Sequence, residues 1–486
     1  MSVLRGVLEV TGIVVLVYFA LFNLIYLTLT AVAWRGVSRH RHARAYAAVD
    51  EMLASPLTPG VSVLLPAYNE QAGVVESVRS LLALRYPLLE VIVVNDGSKD
   101  ATLERLREAF DLRPVRIALR QEIPHAEVLG TYASARHPNL VVVDKANGGK
   151  SDALNCGISA ARHPYFCAVD ADAILEEEAL LRVIEPIVDD PDLVVATGGI
   201  VRIANGCRVE DGKVVEVRLP RSRLATLQAV EYLRAFLVGR MSWNTLDSLL
   251  IISGAFGVFR RSVVEAAGGY WTKTVGEDME LVVRMHHHLR DRGEEYRVAF
   301  VPDPVCWTEV PEDLRTLGRQ RRRWQRGLTE SLWRHREMIG RPRYGSIGTA
   351  AMPYFAVFEM LGPMIEALGY VLFPIAVILG LLSVTYLVAF VVLAVVLGML
   401  LSFSALMLEE FNFRRHRQGR DVARMLAFSV FENLGYRQLV TFWRALAAVD
   451  LARGKRGWGE QRRRGVAAGR AVEPAPAKTT PAKTTP

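Results

Sequence analysis

From Val7 to Trp34 the chain carries a single charged side chain, Glu9, over a run longer than the ~20 apolar residues that a bilayer-spanning helix needs. A backbone crossing hydrocarbon must satisfy its own polar groups, so such a run is read as a helix. Met364 to Leu408 is a second apolar region, long enough for two spans with a short uncharged turn near Leu382 to Tyr386. Ala31-Val32-Ala33 resembles a signal-peptidase site. The apolar core before it is longer than the roughly 7–15 residues of a secretory signal, so an uncleaved anchor is expected. Arg5 stands alone on one flank, whereas Arg35, Arg39, Arg41 and Arg44 follow on the other. Positive charge marks the cytoplasmic side, which puts the large domain after the first span in the cytosol. Arg414, Arg415, Arg417 and Arg420, just beyond the second region, agree.

The formal net charge of +8 invites a nucleic-acid reading, but much of the excess flanks the apolar runs, where anionic headgroups are the nearer partner. No nucleic-acid-binding motif accompanies it. Cys156, Cys167, Cys207 and Cys306 are widely spaced without a C-x-x-C pair, which argues against disulfides and a zinc site.

From Val61 short β-branched runs alternate with helical stretches. Strands are predicted at VSVLLPA, EVIVVND, LVVVDKA, YFCAVDA and DLVVATGG, and helices at Glu70 to Leu84, Asp100 to Ala109 and Ser151 to Ala161. That alternation predicts an α/β domain with a largely parallel sheet and ligands beyond the strands' carboxyl ends. Polar clusters fall at those ends: Tyr68-Asn69-Glu70, Asn95-Asp96-Gly97-Ser98, Asn147-Gly148-Gly149-Lys150 and Asp170-Ala171-Asp172. Alternate residues of a strand share a face, so Asp170 and Asp172 reach one point. Two ionised carboxylates repel unless a cation or donors lie between them, and Mg²⁺ or Mn²⁺ takes one or two carboxylates plus phosphate oxygens. Each cluster taken alone is equally a turn or helix cap. Together they supply an aromatic ring, acceptors for a base, a lysine for diphosphate and a metal pair, the parts of a nucleotide-diphosphate site.

The segments SVLLPAYNE, VIVVNDGSKD, DKANGGKSDALN, AVDADAIL, SGAFGVFRR, GEDMEL and QRRRWQRG occur in the order found in membrane-embedded family-two glycosyltransferases, and the chain resembles the processive synthases of poly-N-acetylglucosamine, chitin, hyaluronan and cellulose. The likeness covers about Val61 to Leu328 and continues more loosely through the later spans. It implies a Rossmann-like, GT-A-type nucleotide-sugar fold and a metal-dependent, inverting hexosyltransferase. By that resemblance Tyr68 would lie against uracil, Glu70 and Asp96 would contact base or ribose, Lys150 would neutralise diphosphate, Asp170 would face the nucleotide-sugar and Asp172 would bind Mg²⁺ or Mn²⁺. The loop Ser253 to Gly257 would shape the acceptor path, with Gly254 letting backbone approach a sugar.

Gly276-Glu277-Asp278 precedes a helical stretch, where acids are favoured for their own sake at a helix N-terminus. The resemblance makes Asp278 the general base. On a helix Gln320, Arg323, Trp324 and Gly327 share a face, while Arg319, Arg322 and Arg326 form a separate stripe expected to meet lipid headgroups. The first face is expected to serve the site, with Arg323 on diphosphate and Trp324 stacked on the acceptor sugar. In the related synthases Q-x-x-R-W goes with polymer formation. Consecutive helical positions diverge, so His286-His287-His288 is expected to be a solvated or partly buried run rather than a metal cluster.

The expected organisation is an anchor at 1–34, a basic linker at 35–56, a cytosolic transferase domain at 57–310 and interfacial amphipathic helices at 311–362. A transmembrane hairpin at 363–408, a basic interfacial or re-entrant segment at 409–465 and a disordered tail at 466–486 follow. Glu359 and Glu366 line a polar path or sit at headgroup level. The expected activity is polymerisation of a UDP-sugar, with UDP-N-acetylglucosamine favoured, at a plasma-membrane location. The expected partners are the UDP-sugar, the growing polysaccharide, membrane lipids and a subunit or dimer mate that completes the export path. Transfer of one sugar to a lipid carrier is the nearest alternative, and a catalytically silent scaffold a remote one.

Overall fold

The computed structural model describes residues 2–44, 49–210, 212–381, 383–413 and 419–453. The basic residues Arg414, Arg415 and Arg417, the cluster from residue 454 onward and the 466–486 tail lie outside them.

A ten-stranded sheet forms the centre of the region from Val61 to Thr308, in the order β3-β4-β5-β2-β1-β6-β11-β8-β12-β7. The strands are β1 (Val61–Ala67), β2 (Leu89–Asp96), β3 (Leu112–Pro114), β4 (Val128–Ser134), β5 (Leu140–Lys145), β6 (Tyr165–Val169), β7 (Ile174–Leu175), β8 (Val194–Ile203), β11 (Phe256–Arg260) and β12 (Arg297–Thr308), while β9 (Arg208–Glu210) and β10 (Lys213–Glu216) make a separate hairpin. The core β5-β2-β1-β6 is parallel throughout. Its strands read as continuous apolar runs because helices cover both faces. Those helices include α2 (Val74–Leu82), α3 (Thr102–Phe110), α4 (Lys150–Ala160) and α5 (Ala179–Asp189). Parallel pairing brings the carboxyl ends of β5, β2, β1 and β6 to one edge, where the polar clusters sit.

The expected α/β class with a parallel core is therefore present, and the differences lie outward from it. The predicted helix at 70–84 begins only at Val74, because Asn69 takes a positive φ and a turn closes from Gly73 N and Val74 N onto Glu70 O. Strand β4 carries no clean apolar run, β11 is short, and the apolar run at the start of β12 is followed by prolines. Pro302 and Pro304 fall inside β12 and cannot donate to the ladder, and the β8–β12 register shifts there.

Among the described residues, three helices are long and apolar enough to cross a membrane. They lie within α1 (Ser2–Arg44), α9 (Ile347–Ile378) and α10 (Val384–Phe413). Val15, Tyr18 and Phe19 of α1 pack on Phe373 of α9 and on Phe390 and Ala394 of α10, with Phe373 and Phe390 stacked at 4.0 Å. The break between α9 and α10 falls slightly before the expected turn, where Gly380 has a positive φ and the Ser383 hydroxyl accepts from Tyr386 N to start α10. No break separates an interfacial helix from a span near residue 362. Pro353 and Pro363 are absorbed within one helical run by π-helical turns at Ile347–Ala351 and Phe355–Leu361. The C-terminal part forms α11 (Gly419–Phe431) and α12 (Arg437–Ala452), separated by a kink at Leu434 and Gly435.

Candidate active site

Residues after β2, β5 and β6 build one side of the site. Lys150 opens α4, and its Nζ lies 2.6 Å from Asp170 and 3.2 Å from Glu277. Burial opposes its charge, but the two carboxylates outweigh that and raise the Lys150 pKa above the ordinary lysine value. Burial likewise raises Glu277, against the pull of Lys150 and with the help of Asp278. Asp96 is buried and its carboxylate accepts from Lys145 Nζ (2.6 Å), Gly148 N (2.9 Å), Gly149 N (2.8 Å) and Asn147 Nδ2 (3.1 Å). Gly149 has φ +88°, a backbone that only glycine adopts cheaply, and this turn delivers Lys150 to the cavity.

The facing side comes from α6, α7 (Glu277–Asp291) and α8 (Leu314–Arg334). Helix α6 runs from Arg223–Leu233 through a π-helical stretch, Arg234–Arg240, to Met241–Thr245. The start of α7 and the middle of α8 meet backbone to backbone. A Cβ on Gly327 would stand 2.6 Å from Gly276 Cα, and one on Gly276 would stand 2.7 Å from Gly327 Cα. Glu330, one turn on, accepts from Thr274 Oγ1 (2.9 Å) and Val275 N (3.1 Å). These contacts set Asp278 beside the Arg323–Trp324 face. Asp278 Oδ1 accepts from Met279 N (2.8 Å) and Oδ2 from Gly254 N (3.2 Å). A Cβ on Gly254 would lie 3.2 Å from Lys150 Nζ and 3.5 Å from Asp278 Cβ, so the missing side chain lets both close in.

Between the two sides lies a cavity of about 600 Å³. Lys150, Asp170, Asp172, Gly254, Asp278, Gln320, Arg323 and Trp324 all line it. Tyr68, Glu70 and Asp96 do not. Tyr68 is 46% exposed on the rim after β1, and the Asp96 carboxylate holds the 147–149 turn rather than facing the cavity. The carboxylates of Asp170 and Asp172 are hard oxygen donors, which suits a divalent ion that draws its remaining ligands from a diphosphate. No group of three or more His, Cys, Asp or Glu among the described residues forms a self-contained metal cage.

The basic stripe of α8 does not face outward as a set. Arg322 pairs with Asp450 on α12, and Arg326 is buried against Glu330, while Arg319 alone of the three is exposed. Packing of α12 on α8 takes up Arg322 alone of the three, since the partner of Arg326 lies on α8 itself. Arg321 is buried beneath Trp324, 4.4 Å from its ring, and Arg321 and Tyr436 both donate to Glu231, at 2.7 and 2.6 Å. His286 is buried between Tyr296 OH and Leu249 O, and His287 meets His335. Glu359 pairs with Arg444 at 2.8 Å and Glu366 with Arg437 at 3.6 Å, around a second cavity of about 110 Å³ that touches the first through Glu231.

Several lining residues escape the motifs. Tyr232, Phe236 and Arg240 follow one face of α6, and Glu277, inside a motif but given no role by it, reaches Lys150. The i, i+4, i+8 spacing of the first three was readable in EYLRAFLVGR, but nothing there says which surface that face meets.

Two family models match in succession, Glycosyl transferase family 2 over residues 62–123 and Glycosyltransferase like family 2 over residues 131–327. The chain carries a family 2 glycosyltransferase domain. Among curated relatives, a poly-beta-1,6-N-acetyl-D-glucosamine synthase from Staphylococcus aureus (strain COL) is 29% identical over 306 residues, which are 62% of this chain and 61% of that protein. The same-named protein of Staphylococcus epidermidis is 30% identical over 278 residues, 57% of this chain and 56% of its own length. The chain thus spans about three-fifths of the length of the curated relatives it matches. A mannosyltransferase from Pyrobaculum calidifontis, solved with GDP-mannose and Mn²⁺, aligns over 89% of this chain and 99% of its own, with 18% identity and a TM-score of 0.47.

Proposed function

We propose that the protein is a membrane-embedded, inverting and processive glycosyltransferase that extends a polysaccharide from a UDP-sugar, with UDP-N-acetylglucosamine as donor. The supporting observation is the single cavity that holds Asp170, Asp172, Lys150 and Arg323 together with Asp278 and Trp324. Lys150 and Arg323 are the cations for the donor diphosphate, and Trp324 is a flat apolar platform for a sugar ring. Asp278 takes the proton of the acceptor hydroxyl as its oxygen bonds to the anomeric carbon. The bond from that carbon to the diphosphate breaks on the opposite face and UDP leaves with its electron pair. Mg²⁺ or Mn²⁺ held by Asp172 would supply charge neutralisation at the leaving diphosphate. Tyr68, Glu70 and Asp96 belong in this proposal to the base and ribose end, with Asp96 acting through the turn it anchors. The first span and its basic flank support a cytosolic domain at the plasma membrane.

The small second cavity, closed by Arg444–Glu359 and Arg437–Glu366, supports a competing reading in which one sugar is added to a lipid carrier. Membranes containing the protein, incubated with single UDP-sugars and assayed for UDP release and product length with and without EDTA, separate these. Long products from UDP-N-acetylglucosamine that vanish with EDTA support the proposal. A single-sugar lipid product excludes polymerisation, and no UDP release from any donor removes the transferase reading.

A further inference from the structure

Arg240 is the cation that the reaction as described leaves without work. It lines the main cavity at the end of the face carrying Tyr232 and Phe236, and its guanidinium lies 3.7 Å from the Phe236 ring centroid. Its Nη1 is buried and has no hydrogen-bond partner among the described residues. Burial lowers its pKa to about 10 while Asp278 opposes that fall, so it remains charged at neutral pH. A buried guanidinium nitrogen without an acceptor is costly, and the cost is recovered only when an acceptor arrives with a ligand.

The position of Arg240 decides which ligand. The Phe236 ring lies tilted against Tyr232 at 5.9 Å, and Tyr232 against Trp324 at 6.4 Å, so Arg240 and Trp324 end one continuous aromatic wall. The diphosphate already has Lys150 and Arg323. We infer that Arg240 binds the acceptor sugar and donates to the carbonyl oxygen of its acetamido group, with the methyl against Phe236. An acetamido group offers the planar oxygen acceptor and apolar cap that this corner lacks. An amino sugar brings an ammonium that the guanidinium repels. The assignment rests on the sugar-transfer reading above and adds a rule for which acceptors are extended.

The test compares wild type, Arg240→Gln and Arg240→Lys in detergent or nanodiscs with UDP-N-acetylglucosamine. Acceptors are β-linked N-acetylglucosamine tetramers and their deacetylated counterparts, and UDP affinity is measured by calorimetry on the same samples. The expected result is an acceptor KM raised about ten- to hundredfold in Arg240→Gln, with kcat and UDP affinity within about twofold of wild type. Arg240→Lys is expected to fall between, because the charge remains and the planar fork is lost. The preference for acetylated over deacetylated acceptor is expected to shrink in both. Unchanged acceptor KM and preference in a variant that still binds UDP would overturn the assignment while leaving the transferase reading intact. A loss of UDP affinity equal to the loss of turnover would also overturn it, by moving Arg240 to the donor side. Failure of the wild type to turn over any UDP-sugar would instead overturn the reading beneath it.

Discussion

The two halves of the cavity are made in different ways. The strand-end half is fixed by the ladder: β5, β2, β1 and β6 are parallel neighbours, and the 147–149 turn is pinned to Asp96 at the end of the adjacent strand. The helix half is fixed by contacts between segments far apart in the chain, among them Gly276 on Gly327, Glu330 on the 274–275 backbone and Asp450 on Arg322. The first half holds its residues by hydrogen-bonded register, the second by close packing and scattered ion pairs. Damage to the first is therefore expected to appear in stability and nucleotide affinity, and damage to the second in turnover.

Asp96→Asn should be the most disruptive change. It leaves the buried Lys145 with a weakened partner and turns an acceptor of two backbone N–H groups into a partial donor. Asp152 still pairs with Lys145 at 2.6 Å, so a loss of about 2–4 kcal/mol is expected, read by denaturant unfolding, with weakened UDP binding by calorimetry. Gly327→Ala comes next, since the new methyl overlaps the Gly276 backbone and must push α7 from α8. It should cost ~1–3 kcal/mol and reduce turnover more than UDP affinity, which breaks the two halves apart experimentally. Glu330→Gln should lower kcat roughly tenfold with little change in melting temperature, because it loosens the loop that carries Asp278 without opening a void. Asp450→Asn is the smallest. Arg322 is about a third exposed, so its pairing contributes roughly 0.5–1 kcal/mol, and the melting temperature should shift accordingly while turnover stays.

The same contrast explains what the sequence disclosed. The parallel core was legible because strands buried on both faces must be continuously apolar, and the clusters at 95–98, 147–150 and 170–172 marked their carboxyl ends. The share of a helix face among Gln320, Arg323 and Trp324 was legible from spacing alone. The fate of Arg322 was not, because its partner Asp450 follows from how α12 folds onto α8, whereas Arg326 meets Glu330 four residues on along the same helix. The donors that Asp96 gathers from Lys145, Asn147, Gly148 and Gly149 were not legible, because they follow from how β2 and β5 pair. The prolines of β12 hid a twelve-residue strand. Arg240 belonged to no motif, and only the wall that it shares with Trp324 brings it to notice.

The central claim is that Asp278 serves as base in the cavity that binds the nucleotide. UDP release from UDP-N-acetylglucosamine and UDP affinity, measured on one purified preparation of wild type and Asp278→Asn, tests it most directly. The account predicts turnover reduced by roughly 10²–10⁴-fold with UDP affinity within about twofold of wild type. Turnover at wild-type rate in the variant would contradict it.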